Sequence, residues 1–353
     1  MAIWPFTRGR VAWSSGNRIT AAIAELWDSQ LSQAADGAVW SDVALVTNIA
    51  NFVTNANGGR CAGWDTTSGR FYSFSLSAGN PVGIASTTGA SWRALTVAAG
   101  AGLTPAGFSF ATSGTIIVMG GTPGSSSNQK FRTSATSDGI TWVVRSSSQT
   151  TTAGVTTIAW IPQLSLFIAG HSDGVVETSP DGITWTNQPV PNSDARGRIA
   201  TDGTTVVITS SATAKTITST NGTSWTEHSS TGLPGGAAEL IWSDAQELFL
   251  CAASATTNES IYSSPDGVTW SFVSSPTTTL AILRLAESGR VLLGAWDNKY
   301  KYSLDGGATW VAAEEIISSG GVTSPRALVL SSKGQALITN TDGDHFATLR
   351  GGY

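Results

Sequence analysis

Five short stretches of nearly one spelling run through this chain, and they constrain its fold more than any other feature. TSDGITW ends at Trp142, SPDGITW at Trp185, STNGTSW at Trp225, SPDGVTW at Trp270 and SLDGGATW at Trp310. A weaker STTGASW ends at Trp92, and DGAVW ends at Trp40. Successive tryptophans stand 40 to 52 residues apart, the spacing at which a four-stranded sheet repeats as one blade of a propeller. Seven copies predict an all-β, seven-bladed ring.

The letters have a physical reading. A carboxylate two residues after Ser or Thr can accept hydrogen bonds from the N–H groups of its own turn, and the following glycine supplies the positive φ of a tight hairpin. The indole is expected to fold back over the hairpin and seal it, worth up to about 4–6 kcal/mol at roughly 25 cal/mol per Å2. The pattern is full at Asp138, Asp181, Asp266 and Asp305. Asn221 keeps the acceptor, Thr88 weakens it, and Asp36 begins the first copy. A second repeat agrees with seven units: apolar residues seven apart flank a polar turn, as at Trp64 and Phe71, Phe110 and Ile117, Trp160 and Phe167, Ile199 and Val206, Trp242 and Phe249, Leu285 and Leu292, and Leu330 and Leu337.

These heptads resemble the Asp-box, or BNR, repeat, and over about residues 36–350 the chain resembles Asp-box β-propellers. The resemblance implies that each box joins the third and fourth strands of a blade at the periphery, away from the central channel. Asp36, Asp138, Asp181, Asn221, Asp266 and Asp305, with Trp40, Trp92, Trp142, Trp185, Trp225, Trp270 and Trp310, are therefore expected to be structural.

The last unit stops one strand short, so residues 38–43 are predicted to complete the last blade and close the ring, which removes the free edge. The strand-like RVAWSSG around Trp13 is the alternative closure. Ile19, Ile23, Leu26, Trp27 and Leu31 stand at helical spacing before Gly37, which predicts an amphipathic helix. The chain thus divides into an N-terminal extension, 1–35, that docks, and a propeller, 36–353.

Composition excludes several functions. The net charge is −5, with 19 basic residues spread thinly, so no positive stripe meets a phosphate backbone and nucleic acid is not expected. No run approaches the roughly 18 apolar residues of a membrane span, and no export signal is evident at the N-terminus. Cys61 and Cys251 leave a disulfide or two buried thiols open. Sialidase chemistry needs an arginine triad, a Tyr–Glu nucleophile and an acid, and the motif that opens it is missing. Acidic residues outside the boxes, such as Glu177, Glu239 and Glu287, form no recognisable pair for glycoside hydrolysis. His171, His228 and His345 have no partner at metal-ligand spacing. No catalytic residue, cofactor or metal is therefore assigned. Trp64, Trp160 and Trp242 read as wedges between blades. Trp296, Tyr300 and Tyr302, mixed with Lys299 and Lys301, are the candidate ligand surface.

The Ser/Thr/Gly-rich composition suits a particle exposed outside cells, and the chain is similar to tail- and fibre-associated proteins of tailed bacteriophages. The expectation is a non-enzymatic structural or host-recognition component of a virion, made in the host cytoplasm. It would bind other virion proteins through residues 1–35 and present the propeller, in multiple copies, to a host glycan or receptor. A lectin-like propeller and an Asp-box glycosidase are the alternatives.

Overall fold

The computed structural model describes residues 40–43, 61–77, 80–88, 92–98, 103–123, 128–191, 197–210, 213–254, 259–276, 284–288, 291–296, 299–311, 314–315, 325–331, 335–340 and 346–350. The helix expected over 19–31, Trp13 and Asp36 lie outside them. Among the described residues the strands form seven sheets, six of four strands and one of five.

Sheet 1 runs Cys61–Asp65, Arg70–Ser77, Asn80–Ser86 and Arg93–Ala94. Sheet 2 holds Leu103–Thr112, Ile116–Pro123, Phe131–Ala135 and Thr141–Arg145, with Thr96–Val97 added at its edge. Sheet 3 holds Val155–Ile161, Leu166–His171, Val176–Ser179 and Thr186–Gln188; sheet 4 holds Ile199–Thr201, Val206–Thr209, Lys215–Ser219 and Thr226–Ser229. Sheet 5 holds Ala237–Ser243, Leu248–Ser254, Glu259–Ser264 and Ser271–Ser274; sheet 6 holds Arg284–Ser288, Val291–Trp296, Lys299–Ser303 and Glu314–Glu315. Sheet 7 holds Pro325–Leu330, Gln335–Asn340 and Phe346–Arg350, and its fourth strand is Trp40–Val43, which pairs antiparallel with Phe346–Arg350.

The first strand of each sheet packs on the first strand of the next, and Pro325–Leu330 returns to Cys61–Asp65, so these inner strands form a closed circuit. The protein is an all-β propeller. Middle strands are buried between two neighbouring sheets and therefore read as continuous apolar runs rather than alternations: Val206, Val207, Ile208 and Thr209 are all buried, whereas the outer strand Thr226–Ser229 is largely exposed.

The units are not copies of one plan. Six sheets keep the four-stranded form; in sheet 2 the segment after Arg93–Ala94 leaves sheet 1 and pairs parallel with Thr141–Arg145, Thr96 opposite Thr141 and Val97 opposite Trp142. The buried Arg132 supports this crossing, its Nε donating to the Ala98 carbonyl at 3.2 Å. The seven-residue spacing also holds only in part. Trp64 stands opposite Phe71, Trp160 opposite Phe167 and Trp242 opposite Phe249, but Phe110 pairs with Met119, Ile199 with Ile208 and Leu285 with Gly294. Turn length and the position of the closing pair set each register, and a shift changes every partner.

Trp160 packs against a core cluster that includes Ala111 of sheet 2, and Trp242 against one that includes Ala200 of sheet 4, so each cluster spans two neighbouring sheets. Cys61 and Cys251 are buried free thiols, and burial raises the pKa of Cys61.

Candidate functional site

The repeated hairpins join the third and fourth strands of their sheets, and their polar groups are committed internally. In sheet 5, Asp266 Oδ1 accepts from Val268 N and Thr269 N, both at 2.9 Å, and from Ser264 Oγ at 2.9 Å. Asp181 accepts from Ile183 N and Thr184 N at 2.8 Å, and Asn221 from Thr223 N at 2.9 Å and Ser224 N at 2.8 Å. Asp305 takes Thr309 N at 2.8 Å, one residue further on because Gly307 lengthens its turn. Asp138 accepts from Thr141 N at 2.9 Å. Partial burial opposes ionisation at Asp181, Asp266 and Asp305, but these donors outweigh it and hold the carboxyls below the usual range.

The indoles do more than the sequence suggests. Trp185, Trp225, Trp270 and Trp310 each donate Nε1–H to a glycine carbonyl of their own hairpin, at 3.2, 3.2, 3.3 and 2.9 Å. The ring itself packs on the preceding sheet: Trp185 stacks on Phe131 at 3.9 Å and 3°, and Trp142 meets Phe74 edge-on at 4.8 Å. Trp92 packs against the core cluster of Phe71, Ile84 and Leu337, which spans sheets 1 and 7. The ring is thus tied to its own hairpin through Nε1 and, at Trp185 and Trp142, also packs on the preceding sheet. Trp40 is placed by its backbone, opposite Leu349.

Since Asn221 performs the acceptor role natively, Asp266→Asn is expected to leave the thermal midpoint nearly unchanged. Asp266→Ala, which orphans two N–H groups, should cost about 1 kcal/mol by analogy with helix caps. Calorimetry of the two variants checks this.

Tertiary structure assembles polar clusters that the sequence did not pair. His171 Nε2 lies 2.7 Å from Glu177 Oε2 with both side chains fully buried, and Glu177 also accepts from Ser147 Oγ at 2.7 Å, Ser148 N at 2.7 Å and Ser148 Oγ at 2.6 Å. Burial would raise the Glu177 carboxyl, but His171 and the two serines outweigh it and hold the pKa at about 2. This tie links sheets 2 and 3. Glu287 of sheet 6 accepts from Ser243 Oγ of sheet 5 at 2.7 Å, and burial, with Asp244 beside it, raises its pKa to about 7. On three successive inner strands Glu239 lies 3.8 Å from Arg198 Nε and 3.6 Å from Arg284 Nη1, and both arginines donate to the Ala238 carbonyl at 2.8 Å. The ties between Glu177 and Ser147 or Ser148, between Glu287 and Ser243, and from Glu239 to its two arginines join groups on different sheets, which no spacing signal could have found.

The candidate ligand surface at Trp296, Tyr300 and Tyr302 is divided by its register. Trp296 pairs with Lys299, Tyr300 with Ala295 and Tyr302 with Leu293. In a pleated pair Trp296 therefore holds a position on one face, and Tyr300 and Tyr302 hold positions on the other.

A cleft of about 280 Å3 opens where sheets 1 and 2 meet, lined by Arg70, Ala85, Ser86, Thr87, Trp92, Arg93 and Ile140. Arg70 comes from the start of the second strand of sheet 1, Ala85 and Ser86 from the end of the third, Thr87 and Trp92 from the hairpin that follows, Arg93 from the fourth strand, and Ile140 from the neighbouring hairpin. Arg93 is exposed, Trp92 half-buried and Ser86 buried. Arg70 Nη1 donates to the backbone carbonyl of Asp138 at 2.8 Å, which orients its guanidinium. Among the described residues no group of three His, Cys, Asp or Glu side chains is gathered as metal ligands would be.

Residues 192–324, well under half of the chain, match the family model described as the DUF6242 beta propeller domain. No curated protein matches. Many solved structures share the fold. YCF48 bound to D1 peptide superposes with a TM-score of 0.63 at 15% identity, over 84% of this chain and 94% of that one. YCF48 from Cyanidioschyzon merolae gives 0.62 at 14%, over 89% and 99%. Virginiamycin B lyase from Staphylococcus aureus gives 0.65 at 12%, over 85% and 97%. At these identities the likeness concerns the fold alone, and it includes an enzyme.

Proposed function

We propose that this chain is a non-enzymatic interaction platform, a seven-bladed propeller whose repeated hairpins are Asp-boxes. In finer terms it is a structural or host-recognition component of a tailed-phage particle. The observation that carries the platform reading is the contrast between the committed groups and the open cleft. The hairpin carboxylates, Glu177, and the Arg198–Glu239–Arg284 set are engaged within the scaffold, whereas the exposed Arg93 lines a cleft open to a partner. The YCF48 structure carries a bound peptide on the same fold, which supports a platform role without transferring the ligand. The composition, poor in charge and rich in Ser, Thr and Gly, supports display outside cells.

In this reading residues 1–35 dock on other virion proteins and the propeller faces outward. Cryo-electron microscopy of native particles is expected to show the propeller attached in several copies, and deletion of 1–35 to release it. A chain that never sediments with particles overturns the virion assignment. The lectin-like alternative is favoured by Trp92 beside two arginines.

A further inference from the structure

We propose that the cleft between sheets 1 and 2 binds one acidic monosaccharide unit, with Arg70 and Arg93 on its carboxylate and Trp92 against its ring. The inference rests on the platform reading and names its ligand class.

Three observations converge on this chemistry. First, the described lining residues include two arginines and no carboxylate. Asp138, whose charge couples to Arg70, directs its carboxylate to Thr141 N at 2.9 Å and offers Arg70 only its backbone carbonyl. The pair of cations therefore favours an anion, and the planar fork of arginine suits a carboxylate.

Second, of the hairpins that join a third to a fourth described strand, the one at the cleft, Ser86 to Trp92, is the one whose spelling lacks a carboxylate or amide acceptor. Ser86 occupies the position of Ser264, and Thr88 N donates to Ser86 Oγ at 3.2 Å just as Asp266 N donates to Ser264 Oγ at 3.3 Å. Where Asp266 supplies an anion to its own turn, sheet 1 has Thr88. The turn of sheet 1 thus brings no carboxylate of its own to the cleft that Arg70 and Arg93 line.

Third, size and lining select a single ring over an extended chain. A volume of about 280 Å3 is at the low end of small-molecule sites. The half-buried indole of Trp92 lines the cleft, and the exposed Thr87 stands at the same cleft to meet sugar hydroxyls. An acidic peptide would need a longer groove.

Titration of the full chain by NMR with glucuronic acid and N-acetylneuraminic acid, against glucose and acetate, tests the assignment. At least one acidic sugar is expected to bind at least about tenfold more tightly than either control. Arg93→Gln should weaken it by at least about tenfold, the loss of a charge-assisted pair. Arg93 is exposed, so the thermal midpoint should stay unchanged. Trp92→Leu should weaken the sugar and leave acetate unaffected. Equal binding of glucose would overturn the role of the carboxylate. Equal binding of acetate would overturn the saccharide, as would an acidic peptide that binds where neither acidic sugar does. Unaltered affinity in Arg93→Gln would overturn the site. Particle co-sedimentation reads the broader proposal separately: a chain that sediments with particles but binds neither acid loses this inference alone.

Discussion

Replacement of Glu177 by alanine is expected to destabilise the protein by about 3–5 kcal/mol, the usual result of removing one partner from a buried ionic set, and to lower the thermal midpoint by on the order of 10 °C. The carboxylate accepts from Ser147 and Ser148 across the junction of sheets 2 and 3 and sits against the fully buried His171. The ammonium of Lys130, also buried, feels its charge: burial lowers the Lys130 pKa, and Glu177 and Asp173 oppose that. Alanine would leave these donors without an acceptor and Lys130 with Asp173 as its remaining counter-charge. Glu177→Gln keeps the shape and should cost less; equal losses in the two variants would show that packing, not charge, holds this junction.

The sign of the pH dependence follows. The folded carboxyl titrates at about 2, below its ordinary 4.5. Its contribution is present above pH 4.5 and is lost as the pH falls toward 2. Acid unfolding followed by tryptophan fluorescence should therefore flatten over that window in Glu177→Gln relative to the native chain.

Gly267→Ala is expected to cost about 2–5 kcal/mol, and for two separable reasons. Gly267 holds φ at +74°, where an L side chain is disfavoured by about 1–2 kcal/mol. A Cβ there would also meet Val207 Cγ2 of the preceding sheet within 2.4 Å, and Val207 is fully buried and stiff, so overpacking adds about 1–3 kcal/mol. The double variant Gly267→Ala with Val207→Ala should recover the overpacking part and leave the backbone part, which a thermodynamic cycle from denaturant midpoints resolves. Strict additivity of the two changes would disprove the contact. Gly182 repeats the arrangement, at φ +69° with Val118 Cγ2 at 2.7 Å. The glycine of the heptad is thus needed twice, once for the turn and once for the approach of two sheets.

Much of this was readable beforehand where the cause is local. Asp266, Gly267 and Trp270 act within one turn, so their spelling carries their hydrogen bonds. Spacing could not show where the indole goes, because a ring's packing surface belongs to another unit: Trp185 needs Phe131, and Trp142 needs Phe74. Sequence also grouped Trp296 with Tyr300 and Tyr302 as neighbours, whereas strand pairing puts them at positions on opposite faces. His171 seemed to lack a carboxylate, yet a turn brings Glu177 to it, and serines from the preceding sheet complete the set.

By itself, then, the sequence determined the repeating hairpin, the all-β class and the recurrence that makes a propeller, because turn chemistry and strand period act over a few residues. Only the tertiary structure decided the ties between sheets, the fifth strand of sheet 2 and the cleft at Arg70 and Arg93, because each depends on which strand lies beside which, and that is set by the closing of the whole circuit.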